Sequence, residues 1–469
     1  MSDLPQGNML VPLMLFGWPL VLIALFLVLP SRRATIAAFV FAWLFLPVAE
    51  YNIVGLPDWN KMSATSISIF VATLLFDPNR ILQLRPRWID CAMVLLCVCP
   101  LFSSLTNDLG VYDGLSSVFR QTVRWGLPYL VGRMYFSDIE GMRELMIAIF
   151  IGGLVYVPLC WFEIRMSPQL HRLFYGYHQH GFAQTIRYGG YRPMVFMEHG
   201  LMVGMWMVSA TLSGIALWRS GALRHIYGIP VLPMAGVLLL TALLCKSTGA
   251  IAILLIGLAA LAVVFYLRAN VALPAIAFVS VAYILLRATG LWSGVQLIDY
   301  ADAIVGEERA ASLETRIRNE NLLAARAQEH WVFGWGGWNR SRITDAAGRD
   351  ISITDSQWII TFGVTGMVGL AGLFGALLLP MLVLSWRAQP AVWGHPAVAS
   401  YAVAALLLGL WMIDNTVNAM FNPIYLLMAG GLAGMNAIVF VRTQGPTRVP
   451  APAPRAPVRK KEREVTAEV

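Results

Sequence analysis

Asp355 stands where the polar stretch "ITDSQ" turns into the glycine-spaced apolar run "WIITFGVTGMVGLAGLFG". A carboxylate at such a boundary has two uses. It caps the free N–H groups that open a helix, or it takes a proton from a bound hydroxyl at the edge of a membrane, and one residue can do both. Arginine collects in two long polar segments. The first, "EIRMSPQLHRLFYGYHQHGFAQTIRYGGYRPMVFMEHG" (163–200), interleaves Tyr, Phe and His with Arg165, Arg172, Arg187 and Arg192. Aromatic faces suit a sugar and guanidinium forks suit a phosphate. The segment ends on Glu198 and His199, placed just inside an apolar run, where ionisable side chains are costly unless they face a cavity. They are candidates for proton handling. The second segment carries Arg316 on a stretch free of Gly and Pro, then "FGWGGW" (333–338). Its glycines permit close approach of a ligand, and Trp335 and Trp338 can stack on a sugar or anchor at an interface.

The elements that must position these residues are apolar helices. Of 469 residues, 58% are hydrophobic and 13% charged, with mean hydropathy +0.65, more apolar than a water-soluble core of this size requires. Runs such as "MLVPLMLFGWPLVLIALFLVLP" (9–30) approach the roughly 20 residues that span a bilayer, and backbone groups in hydrocarbon must pair within their own segment. The fold class is therefore all-α, a polytopic transmembrane bundle. Spans are expected near 9–30, 34–50, 64–77, 90–104, 117–135, 143–163, 196–217, 227–245, 249–267, 271–287, 357–385, 397–413 and 423–441. That makes thirteen, within a range of about 12–14.

With the N-terminus outside, Arg32, Arg33, Arg80, Arg85, Arg87, Arg143, Arg219, Arg224, Arg268 and Arg387 fall on one side, joined by Arg442, Arg448, Arg455, Arg459, Lys460, Lys461 and Arg463. The short loops opposite hold only Lys61 and Lys246. This is the positive-inside asymmetry, which places the C-terminus in the cytoplasm and leaves the long loops near 164–195 and 288–356 outside. Topology thus accounts for the net charge of +8, and no nucleic-acid partner is implied. The opening "MSDLPQGN" lacks a basic n-region, so the first apolar segment is expected to stay as a helix. Two units follow: 1–442 as the transmembrane domain and 443–469, rich in Pro and charge, as a disordered cytoplasmic tail.

Plainer roles exist for most of these residues. Arg316 can pair with Glu320 on a surface helix, Arg187 and Arg192 can contact lipid headgroups, and Lys246 can snorkel. His178 and His180 lack carboxylate or thiolate support, so no metal site is assigned, and the five cysteines read as small apolar fillers. The stretch from about 311 to 329 is expected to form an amphipathic helix at the membrane surface, with Leu313 and Ile317 on one face. Glycines at 363, 366, 369, 372 and 375 read as a close-packing stripe.

Arg316, then after a helix-length gap "EHWVFGWGGW", then "DSQWIITFGVTGMVG", resembles the large periplasmic loop and following helix of the O-antigen ligase and O-antigen polymerase superfamily. Gly334 and Gly336 match that family's turn, Trp358 its aromatic residue, and Gly366 and Gly369 its glycine pair. "RYGGYRPMVFMEHGLMVGMWM" and "KSTGAIAILLIGLAAL" are similar to two further helix entries of the family. The likeness covers about 186 to 375. The family's His is Asp355 here, the Arg of its Ser-Arg-Gly is Thr248 with Lys246 two residues earlier, and the turn's Pro is Trp331. The resemblance implies cofactor-free and metal-free glycosyl transfer on the outer face of a bacterial inner membrane. Arg187, Arg192, Lys246 and Arg316 would hold the diphosphate of a polyprenyl-linked glycan, and Asp355, or failing it Glu198 and His199, would serve the acceptor glycan or lipid. Two other classes remain open from sequence: a non-catalytic envelope component that binds a polysaccharide precursor, and a secondary transporter.

Overall fold

The computed structural model describes residues 7–435 except 54, 56 and 338, and the side chains of 301, 304, 305, 308 and 309 are also outside the description. The expected tail lies outside the described residues, as does the end of the last expected span. Within them, each of the thirteen expected segments overlaps a helix or a helical rod, although 46–50, 196–199 and 227–230 are not helical. Among the described residues, seven helices are at least 18 residues long and apolar enough to cross a membrane: Leu10–Val28, Trp88–Leu105, Ile139–Met166, Gly200–Ser220, Thr248–Leu267, Gln357–Arg387 and Pro396–Asn415. Shorter apolar helices at Lys61–Phe76, Val231–Leu244, Ala272–Ala288 and Pro423–Gly434 fill the spaces between them. Paired strands are confined to three two-residue hairpins among the described residues.

The protein is an all-α bundle, consistent with a multi-pass membrane protein. Gly200–Ser220 is its central rod, buried all round as a uniformly apolar helix should be. Small residues let backbones approach. A methyl group at Gly132 or Gly430 would collide with the carbonyls of Leu427 and Tyr129 across the pair Leu127–Tyr135 and Pro423–Gly434. The glycine stripe behaves the same way, since a methyl at Gly372 would lie 2.8 Å from the Leu96 nitrogen and one at Gly375 2.9 Å from the Ala92 methyl.

One end of the bundle gathers the long polar segments. Asn107 Nδ2 donates to the Gly334 carbonyl (2.8 Å), Val48 N to His171 Nε2 (3.2 Å), and Arg316 to the turn after Pro396–Asn415. At the other end, Arg32 pairs with Asp138 and Arg33 with Glu144, and Arg133 pairs with Asp90 at 3.0 Å.

Helix Glu307–Gln328 differs from its expected setting. Its inner face, Ala310, Ile317, Glu320, Leu323, Ala324 and Ala327, is buried against the bundle, and Glu320 is not the partner of Arg316. Glu320 instead accepts from Arg287 Nη2 (2.9 Å), Tyr283 OH (3.1 Å), Ser356 Oγ (2.6 Å) and Trp358 Nε1 (3.2 Å). The reason is burial. A carboxylate that is 4% exposed must have its oxygens satisfied by protein, and a solvated i, i+4 contact could not do this.

Removing one partner of this buried pair leaves the other charge stranded. Glu320→Ala is expected to cost about 3–5 kcal/mol. Thermal unfolding in detergent should show a markedly lower midpoint than for Glu314→Ala, which removes only an exposed ion pair with Arg318.

Candidate functional site

Arg316 sits one helical turn before Glu320, and the anchoring of Glu320 fixes where its guanidinium can go. Nη1 donates to the Val417 carbonyl (3.1 Å) and to Asn418 Oδ1 (2.9 Å), and Nε lies 3.5 Å from Asp355 Oδ2. Asn418 in turn donates to Asp414 Oδ1 at 2.6 Å, and its carbonyl receives the Gln357 N–H at 3.1 Å. The capping role open to Asp355 is not used. Ser356 occupies the cap position of Gln357–Arg387 and makes no side-chain cap bond, because its hydroxyl is turned to Glu320. The Asp355 side chain remains 37% exposed beside Arg316.

The first polar segment brings the other cations. A hairpin pairs Ile186–Arg187 with Gly190–Tyr191, turning through Tyr188 and Gly189, both at positive φ. Lys246 Nζ donates to the Tyr188 carbonyl (3.3 Å), and Tyr188 OH meets Thr248 Oγ1 (2.8 Å), so the hairpin rests on the start of Thr248–Ala262. Arg187 is half-buried and Arg192 is buried under Gly200, where a methyl group would strike its Cδ.

His199 marks where these parts meet. Contrary to the expected span beginning at 196, the helix starts at Gly200, and Glu198 and His199 lie in the turn before it. The polar backbone of 192–199 is satisfied by side chains instead of helix geometry: Gln179 donates to the carbonyls of Val195 and Met197, and Glu163 accepts from the N–H groups of Met194 and Val195. His199 Nδ1 accepts from Leu201 N (3.1 Å), which caps the helix and points Nε2 to Gln184 Oε1 (3.3 Å). Burial first, and then the neighbours His180, Arg192, Arg316 and Arg187, hold its pKa down to about 3. The ring is therefore neutral at physiological pH, and three of the four expected diphosphate ligands lie within electrostatic reach of one residue.

The remaining expected residues divide. Glu198 is exposed, and it faces a separate polar cavity on the far side of its turn. Trp335 is engaged elsewhere: Arg326 stacks over its ring at 3.4 Å, His330 packs on it, and its Nε1–H donates to the Arg326 carbonyl (2.8 Å). Trp338 lies outside the described residues. The "FGWGGW" turn is instead a clamp. Gln357–Arg387, read from sequence as one unbroken helix, is broken at Gly366 (φ 66°). Across the break, Trp335 N and Gly336 N donate to the carbonyls of Gly363 and Val364, while Met367 N and Val368 N donate to those of Trp331 and Val332. Gly366 and Gly334 are both at positive φ, and a side chain on either would overlap the opposing backbone.

Asn418 and Asp414 escaped the sequence reading. The polar run "DNTVNAMFNP" directly after an apolar stretch was their available signal.

Two outcomes are expected. Gly366→Ala or Gly334→Ala should sharply reduce the folded protein recovered from membranes by size-exclusion chromatography, since neither the strained φ nor the clash can relax. His199 is ordinarily near 6.5 when unfolded and held near 3 when folded, so its stabilising contribution is present above 6.5 and is lost as pH falls toward 3. The thermal midpoint should fall between pH 6.5 and 4, and His199→Asn, which keeps a capping side chain but does not titrate, should flatten that dependence.

No protein-family model matches the chain and no curated protein matches it by sequence, so the residues of this site themselves carry its functional reading.

Proposed function

We propose that the protein is a glycosyltransferase of the O-antigen ligase or polymerase kind, acting on a polyprenyl-diphosphate-linked glycan during assembly of a surface polysaccharide. The observation that supports it most is the gathering of Arg187, Arg192 and Arg316 around neutral His199, with Asp355 3.5 Å from Arg316 and Lys246 tied to the same hairpin. Preorganised cations of this kind stabilise the charge that develops on a diphosphate leaving group. In this reading the thirteen helical segments cross the inner membrane, the N-terminus and the arginine-bearing loops face outward, and the C-terminus is cytoplasmic.

The reaction uses few parts. An acceptor hydroxyl attacks the anomeric carbon, the bond from that carbon to the phosphate oxygen breaks, and polyprenyl diphosphate leaves with its negative charge held by the arginines. The hydroxyl proton passes to the Asp355 carboxylate, which is accessible and already positioned beside the cation. Orientation completes the chemistry. Arg316 is held by Val417 and Asn418, so the charge it presents does not wander.

The test is the surface-glycan profile of cells carrying only Arg316→Ala, with membrane abundance measured in parallel. Loss of a positioned charge contact predicts transfer reduced by about a hundredfold at normal abundance. Asp355→Ala should give the same direction of loss. A normal glycan profile in both variants would remove the transfer chemistry from this site and leave a protein that binds or passes a precursor.

A further inference from the structure

A cavity of about 560 Å³ opens beside the cation cluster and is not used by the chemistry above. It lies between the hairpin Glu50–Tyr51 with Trp59–Asn60, the rod that carries Arg120 and Arg124, the turn 177–179, and the entry to Pro423–Gly434 at Phe421. Its volume falls within the roughly 300–1,000 Å³ of small-ligand sites. Its charge is the unusual part. Three acidic and three basic side chains line it, Glu50, Asp58 and Glu198 with Lys61, Arg120 and Arg124, beside Tyr177 and His178.

These six do not form a set of mutual ion pairs that would close the cavity. Arg124 is exposed to it, with its guanidinium 4.8 Å from the ring centre of Phe421, and Glu50, Arg120 and Glu198 are likewise exposed within it. Lys61 is different. It is buried, reaches the carbonyls of Trp43 and Phe196, and lies over the Trp43 ring at 5.2 Å, so it serves as part of the wall. Burial, and then its hydrogen bond and charge contact with Asp58, push the Glu50 carboxyl up to about 7. The cavity therefore brings guanidinium donors and carboxyl acceptors together in one space.

We infer that this cavity is a saccharide site, binding an uncharged, polyhydroxylated stretch of glycan. A hydroxyl group both donates and accepts, so it can bridge a guanidinium and a carboxylate at once. A charged ligand fits worse. With Lys61 spent in the wall, Arg120 and Arg124 share the space with Asp58, Glu198 and the raised Glu50 carboxyl, so an anion would meet carboxylates and a cation would meet guanidiniums within the same confined space.

The placement connects the two sites. Glu198 and His199 are consecutive, and Phe421 lies three residues after Asn418, so the cavity and the cation cluster share two of their walls. Resting on the transfer reading above, the cavity holds the neutral glycan whose diphosphate end, or whose acceptor end, reaches Arg316.

The experiment uses the full-length protein in nanodiscs and, as probe, the repeat-unit oligosaccharide released by mild acid from the host's own surface polysaccharide, without lipid or phosphate. Binding is measured by calorimetry. The wild type should bind, and Arg124→Gln and Glu198→Gln should each weaken binding by roughly tenfold, the scale of losing a hydrogen bond to a charged group. Arg349→Ala, an exposed change in the other loop, controls for general effects, and retained thermal midpoints show that the variants fold. No binding to the wild type, or binding indifferent to Arg124→Gln and Glu198→Gln, would overturn the inference, as would inorganic phosphate competing at that site. Failure of the transfer reading is distinguishable. Oligosaccharide binding with a normal glycan profile in Arg316→Ala leaves the saccharide site standing without the transfer chemistry, and the opposite pair of results does the reverse.

Discussion

A carboxylate with almost no access to water must find its partners in protein, and the four donors that Glu320 finds come from two other elements. Arg287 and Tyr283 lie on one apolar helix, while Ser356 and Trp358 lie at the start of another. Together with its buried apolar face, this cluster fixes helix Glu307–Gln328 on the bundle, and what that helix carries is positioned from there. Arg316 is one turn away and so meets the turn at 417–418. Ser356, with its hydroxyl spent on Glu320, leaves Asp355 free of capping and beside Arg316.

A second constraint is close backbone approach. The break at Gly366 frees N–H and carbonyl groups inside an apolar helix, which is affordable only because the "FGWGGW" turn satisfies them with four backbone hydrogen bonds. Asn107 adds a bond to the Gly334 carbonyl from the turn that follows Trp88–Leu105. The clamp fixes the polar segment at one end as Glu320 fixes it at the other. The loop that ends in Asp355 is thus held at both ends, which is what a site that must hold charges in place requires.

Much of the bundle was legible because hydrocarbon demands long apolar runs, and those runs are visible residue by residue. Part of the glycine stripe at 363–375 was legible for the same kind of reason, since Gly372 and Gly375 pack closely on Leu96 and Ala92, but Gly366 is the site of a helix break that its spacing did not show. The parts that could not be read share a different property. Glu320 looks like a surface residue, because the i, i+4 spacing to Arg316 is local and its true partner, Arg287, is 33 positions away. Trp335 looks like a free stacking surface, because nothing in a sequence shows that Arg326 and His330 already cover it. Glu198 and His199 appear continuous with the apolar run that follows, and only the side chains of Glu163 and Gln179, both distant in sequence order, show how a non-helical turn can exist there. The grouping of Arg187, Arg192 and Arg316 lay between these extremes: the residue types were evident, and their meeting at His199 required the fold.

The central claim is that these cations hold a diphosphate while its glycosyl group departs. It is tested most directly by reconstituting the full-length protein in vesicles with polyprenyl-diphosphate oligosaccharide from the host and the matching acceptor, with a chelator present, and separating the lipid products. The account predicts that sugar-free polyprenyl diphosphate accumulates in step with extended or newly glycosylated acceptor. Donor that is bound by the protein yet recovered intact, with no acceptor consumed, would contradict it.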